Sequence, residues 1–169
     1  MDNSTFWNII EAANRETDGD PEQLAEKVHA ALQQLQPGEI HAFHSILCEK
    51  LRSSYSRQLW GAAYLINGGC SDDGFEYFRC WLISRGRAVF DAAIVEPDSL
   101  ANVVDPDNDC HECESLLYVA LKAYEKAAGM QMPRVRGSYP PEPLGENWDF
   151  DDPVETARRL PRLSELYNV

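Results

Sequence analysis

The feature that most constrains the fold is the spacing of apolar residues between helix breakers. Wherever that spacing is regular it is helical, and the strict alternation of a half-buried strand is nearly absent. Leu24, Val28, Leu32 and Leu35 recur at steps of four, four and three, which places them on one helix face. Asp20-Pro21 opens that helix, with Asp as cap and Pro at the first helical position, where its missing N–H costs nothing. After Pro37-Gly38, Ile40, Phe43, Leu47 and Leu51 form the next stripe, which continues through Tyr55, Leu59 and Ile66. Ser53, Ser54 and Ser56 weaken helix at that point, so a bend or break between two helices is expected. A first helix is expected from near Ser4, capped by Asp2, Asn3 or Ser4, with Phe6, Trp7, Ile9 and Ile10 apolar, stopping around Thr17-Asp18-Gly19.

Gly68-Gly69 should close the fourth helix in the left-handed conformation that glycine adopts cheaply. Ser71 then caps a helix from Asp72, whose buried arc is Phe75, Phe78, Trp81 and Leu82 and whose end is Arg85-Gly86. A short helix through Val89, Phe90 and Ala93 follows, and Pro97 opens another turn. From Cys113 to Ala128 the pattern is again helical, stopped by Gly129. Residues 130–153 hold five of the ten prolines and read as an extended strap, followed by a short helix over Pro153–Leu160. The expectation is an all-α, compact single-domain bundle of six to eight helices over 1–169. Its core covers about 3–129, and the strap and terminal helix cover 130–169, with Trp148 as a pin.

A chain of 169 residues with 44% hydrophobic content can bury a core without disulfides. The net charge of −13 disfavours nucleic acid and anionic membranes and draws in basic partners. Five cysteines, an odd number, with Cys48 and Cys80 inside helical patterns, read as reduced thiols. Neither a signal-peptide pattern nor an 18-residue apolar run is found, so a cytoplasmic location is expected.

Chemistry-bearing residues concentrate in Trp60–Ala93. Steps of four and three place Asp72, Glu76 and Arg79 on one face, beside Asp73 and Cys80. One outcome is a solvated stripe with a Glu76–Arg79 ion pair. The other is a polar pocket for a ligand or partner, with Trp60 or Tyr64 as a wall and Arg85 in the lining. Cys70 precedes a helix N-terminus, but a nucleophile needs a base, and Asp72 and Asp73 oppose a thiolate. No phosphate loop, dinucleotide fingerprint or H-E-x-x-H is present.

Metal-like spacings are incomplete. His41, His44 and Cys48 share an arc that also borders the core stripe, and Cys110 and Cys113 have knuckle spacing without a second pair downstream. Asp105, Asp107 and Asp109 begin like an EF-hand loop, but Cys110 stands where Gly is needed and Leu116 where Glu is needed. No metal and no cofactor are expected. The three aspartates belong to an acidic tract of eight carboxylates between Arg87 and Lys122, without a Lys or Arg among them. That tract is either a solvated face or a docking surface for a basic protein.

The segment WGAAYLINGGCSDDGFEYFRCWLISRGRAVFDAAIVEPDSLA resembles the core of the bacterial "domain of unknown function 4240" family. Phe6-Trp7, the ECESLLYVALKAYEKAAG helix, the strap running into GENWDFDD and the terminal Pro161–Leu163 add to the likeness. The resemblance implies a bacterial cytosolic domain and transfers no activity, substrate or catalytic residue. The expected role is a noncatalytic binding or regulatory module, monomeric or homodimeric. The alternatives are a small-molecule-binding protein or enzyme using the Asp72–Arg79 cluster, and an acidic immunity-type inhibitor of a basic partner.

Overall fold

The computed structural model describes residues 1–169 apart from 109, 136 and 138. Its helices are α1 (Asn3–Glu16), α2 (Pro21–Leu32), α3 (Pro37–Ser53), α4 (Arg57–Ile66), α5 (Asp72–Ser84), α6 (Arg87–Val95), α7 (Val119–Ala128), α8 (Pro153–Arg159) and α9 (Pro161–Tyr167). Two 3-10 turns, Pro97–Asn102 and Glu114–Leu117, interrupt the second half. The all-α expectation holds, and no helix among the described residues is long and apolar enough to cross a membrane.

The starts and stops follow local chemistry. Asp2, Asp20, Ser56, Ser71 and Asp152 each accept a backbone N–H from the first turn of the helix they precede, satisfying donors that have no intrahelical partner. The expected break among the serines falls between α3 and α4, where Ser54 and Ser53 return their hydroxyls to the Lys50 carbonyl. Gly68 and Gly69 take φ of +63° and +128° and let the chain turn out of α4.

Two expectations need correction. The stretch from Cys113 to Ala128 is a 3-10 turn followed by α7 rather than one helix, because Cys113 N–H donates to Tyr77 O on α5 and Tyr118 N–H to Ser115 O. The C-terminus holds two helices, not one, so among the described residues the α-helices number nine rather than six to eight. Pro161 breaks the C-terminal pattern and restarts it at the first position of α9. The cap of α9 comes from far away in sequence. Asp98, 4% exposed, accepts from Arg162 N–H and Leu163 N–H at 2.9–3.1 Å.

α5 is the axis of the molecule, touching α1, α2, α3, α4 and α6. One buried cluster runs from Phe6 through Phe43, Phe75, Phe78 and Leu82 to Leu163. The Pro-rich segment crosses this body as a strap. It is tied to the α3–α4 junction by Arg57 N–H to Leu144 O at 2.8 Å and Leu144 N–H to Tyr55 O at 3.0 Å. It is clamped further along by Trp148, whose indole lies on Gly61 of α4. A Cβ built on Gly61 would stand 2.1 Å from Trp148 Cζ2, closer than any real contact.

Two substitutions test these joints by urea denaturation. Gly61→Ala should cost about 2 kcal/mol and shift the near-ultraviolet signal of Trp148 as the strap is pushed off. Asp98→Ala should cost about 2 kcal/mol, the loss of a cap that leaves the buried Leu163 N–H without its acceptor. No change in either would mean that strap and α9 are not fastened at these points.

Candidate functional site

The turn at Gly68-Gly69 delivers Ser71, which accepts from Gly74 N–H at 3.1 Å and starts α5 with Asp72 and Asp73 in its first turn. From that start the helix runs inward, and this divides the Asp72–Glu76–Arg79 stripe. Asp72 and Asp73 are exposed and Glu76 is half-buried, but Arg79 is only 3% exposed. Its Nε donates to Phe75 O at 3.1 Å, and its Nη1 donates to Leu51 O and, at 3.4 Å, to the Tyr139 hydroxyl. The guanidinium carbon lies 4.6, 5.1 and 5.2 Å from the ring centres of Phe75, Tyr55 and Tyr139, within cation–π range of all three. Arg79 therefore lies inside an aromatic cage built from α5, the α3–α4 junction and the strap.

The expected Glu76–Arg79 ion pair is not among the salt bridges of the described residues. Glu76 Oε1 instead accepts from the Tyr139 hydroxyl at 3.0 Å. The physical reason is the position of α5. Arg79, Cys80, Leu82, Ile83 and Ser84 are buried along with its aromatic arc, so the side that periodicity reads as open faces the end of α3. There the Leu51 carbonyl lies in a last turn and takes a side-chain donor. Cys80, expected beside the polar stripe, is fully buried.

Tyr55, Asp72, Asp73, Glu76 and Tyr139 line a concave mouth of about 280 Å³, with the caged Arg79 at its base. Tyr139 keeps its proton, since burial and the neighbouring Glu76 carboxylate outweigh Arg79 and push its phenol up to about 12. The other expected lining residues are distributed elsewhere. Trp60 supports the mouth from behind, stacked on Phe75 at 4.9 Å with its Nε1 donating to Cys70 O at 3.0 Å. Tyr64 belongs to the strap clamp, its hydroxyl donating to Asp151 at 2.7 Å beside Phe150. Arg85 lies at the opposite end of α5, over the Trp81 ring, and donates to Gly19 O and Ser84 Oγ. Charge and sequence proximity group Arg85 with Asp72, but the 13-residue helix between them separates its two ends by about 20 Å.

Tyr55 and Tyr139 complete the mouth; periodicity places Tyr55 only in an apolar stripe and gives Tyr139 no role in the site. The one signal for Tyr139 is an aromatic set directly before Pro140-Pro141, a rigid segment that can hold a ring in place.

The thiols are not tuned as nucleophiles. Burial, with Glu112 adding its negative charge, pushes Cys70 up to about 12, and burial alone dominates the rise to about 12 at Cys113. Cys48 and Cys80 are raised for the same first reason. Among the described residues no three His, Cys, Asp or Glu side chains gather as a metal site. His44 Nε2 and Cys48 Sγ lie 3.6 Å apart without a third partner, and Cys110 is exposed while Cys113 is buried. The Asp105–Asp107–Asp109 reading extends to Asp109, outside the described residues. The acidic tract is not one continuous surface either, because Asp98 is buried as the cap of α9 and Asp91 pairs with Arg87 at 3.2 Å.

Fold and site define an all-helical protein with a central buried helix and a strap-borne tyrosine closing an aromatic cage. Residues 1–126 match the family described as "Protein of unknown function (DUF4240)", and the chain belongs to that family. The match covers α1 to α6 and most of α7. The strap with Tyr139, and the likeness noted in GENWDFDD and Pro161–Leu163, lie beyond the matched residues. No curated protein and no solved structure matches the chain.

Arg79→Ala should lose about 3 kcal/mol in chemical denaturation, since it opens a cavity among three rings and leaves two carbonyls without this donor. A loss under about 0.5 kcal/mol, the surface norm, would place Arg79 in solvent. Acid should act through histidine. Burial holds His44 and His111 below their ordinary pKa of 6.5, with His41 adding to it for His44 and Arg85 for His111, against Asp105. The unfolded chain then binds more protons, so this stability is complete above pH 6.5 and is lost as pH falls toward the folded values. The urea midpoint should drop between about pH 7.5 and 5.5, and less so in a His44→Gln/His111→Gln variant.

Proposed function

We propose that this chain is a noncatalytic binding module whose acidic mouth takes the cationic side chain of a basic protein partner. The observation that carries the reading is the internal use of Arg79. With its guanidinium held by Leu51 O, Phe75 O and three rings, it does not pair with Asp72, Asp73 or Glu76. Among the described residues none of these carboxylates has a salt-bridge partner. They rim a concave surface that Tyr55 and Tyr139 also line, a combination that favours an incoming Lys or Arg by charge and by packing of its apolar stem against the rings.

The noncatalytic part rests on ionisation. A general base or nucleophile works best with a pKa near the working pH. At and beside the mouth, Tyr139 and Cys70 are both pushed up to about 12. The net charge of −13 adds long-range steering of a basic partner to the local chemistry.

A short oligo-arginine peptide titrated onto the full chain tests the reading. Binding should weaken as sodium chloride rises from about 50 to 500 mM. An Asp72→Asn/Asp73→Asn/Glu76→Gln variant should lose about tenfold in affinity, whereas Asp105→Asn/Asp107→Asn should lose less than about twofold. Equal losses in both variants would reduce the effect to overall charge and sink the mouth as a site.

A further inference from the structure

On the other side of Tyr139 the strap roofs a second and larger cavity, of about 370 Å³, between α3, α5 and α7. Tyr139 and Glu76 form the partition that it shares with the acidic mouth. The interiors of the two differ in chemistry. The larger cavity has an apolar floor of Leu47, Leu51, Leu117 and Leu121, and Met132 covers it from the strap. Its size falls within the roughly 300–1,000 Å³ range of small-molecule pockets.

The charge of the lining runs against that of the molecule. Arg52 and Arg134 line the cavity, and neither has a salt-bridge partner among the described residues. Glu76, the one acid among the described lining residues, already accepts from Tyr139. His44 adds no charge at neutral pH, since burial and His41 hold it below its ordinary pKa. In a chain of net charge −13, an apolar chamber whose described lining carries two guanidiniums against one carboxylate is a local reversal of sign.

The strap also passes close to Arg52. Gly137 of the strap has φ of +115°, and a Cβ there would lie 3.1–3.4 Å from the Arg52 guanidinium atoms. The strap backbone therefore lies directly on that head group, an approach that a side chain would crowd. From below, the positive charge reaches Cys48 on the cavity wall and partly offsets the rise of its thiol. A guanidinium lining an apolar space and free of an ion-pair partner among the described residues suits a carboxylate, which it can meet with two parallel N–H donors.

We propose that this strap-roofed cavity is a binding site for a small monocarboxylic acid with an apolar body. Its hydrocarbon lies on Leu47, Leu51, Leu117 and Leu121, and its carboxylate faces Arg52, with Arg134 on the strap as a second cation. This site is separate from the acidic mouth and does not depend on the reading of the mouth. The two take ligands of opposite charge.

Octanoate, octanol and octylamine, titrated calorimetrically onto the full chain, separate tail from head group. Octanoate should bind at one site, about tenfold or more tighter than octanol and tighter still than octylamine. Arg52→Gln should erase the advantage of octanoate over octanol, and Arg52→Lys should keep most of it. Leu121→Trp enlarges the floor leucine that reaches the surface and should weaken all three ligands by filling the cavity. An Asp72→Asn/Asp73→Asn variant, which changes the mouth and leaves Glu76 of the shared partition in place, should keep Leu121→Trp sensitivity and the octanoate-over-octanol order intact. The proposal is overturned if none of the three ligands binds, if octanoate is no tighter than octanol, or if Arg52→Gln preserves the preference.

Discussion

The guanidinium of Arg79 sets much of what surrounds it. A cation removed from water has to find donors' partners and polarisable surface at once, or its burial would be costly. Leu51 O closes one side, Phe75 O another, and the rings of Phe75, Tyr55 and Tyr139 cover the rest. Those groups come from three places in the chain: the end of α3 with its junction to α4, the second turn of α5, and the strap. One side chain thus ties the C-terminal half of α3 to the central helix and gives the strap a fixed landing point at Tyr139.

From that landing point the strap does two things. Toward α5 it leaves the carboxylates of Asp72, Asp73 and Glu76 around an aromatic-walled mouth. Toward α3 and α7 it roofs a leucine-floored cavity with guanidiniums in its lining. Tyr139 lines both spaces, donating to Glu76 and accepting from the guanidinium of Arg79. The parallel attachment of Leu144 to the α3–α4 junction and the seating of Trp148 on Gly61 hold the strap beyond it.

The site was partly legible in the sequence. Ser71, Asp72 and Asp73 announce the start of α5, and the polar spacing of Asp72, Glu76 and Arg79 places them on one side of it. What periodicity does not encode is what that side faces. Arg79 looks like a surface residue by its neighbours three and four positions away, yet it is enclosed because α5 is surrounded. Tyr64 and Arg85 went to other tasks: Tyr64 is on α4 and meets Asp151 of the strap, while Arg85 follows the far end of α5 and meets Gly19. Tyr139 and Arg52 carried little signal of their own, since each depends on a strap whose path has no periodic pattern to read.

By itself the sequence determined the helices from α1 to α6 and most of their ends. Caps, prolines and left-handed glycines act within a few residues, so their effect survives without knowledge of the rest: Asp20-Pro21, Ser71-Asp72 and Gly68-Gly69 do what their local chemistry requires. The apolar stripes likewise named the core, from Phe6 and Leu24 to Phe78 and Leu82. Only the tertiary structure decided which polar groups were spent inside. Asp98 caps a helix that begins more than sixty residues later, and Arg79 binds a carbonyl twenty-eight residues before it. Such pairings depend on how finished helices pack, and packing is settled by shape and burial across the whole molecule rather than by any window of the chain.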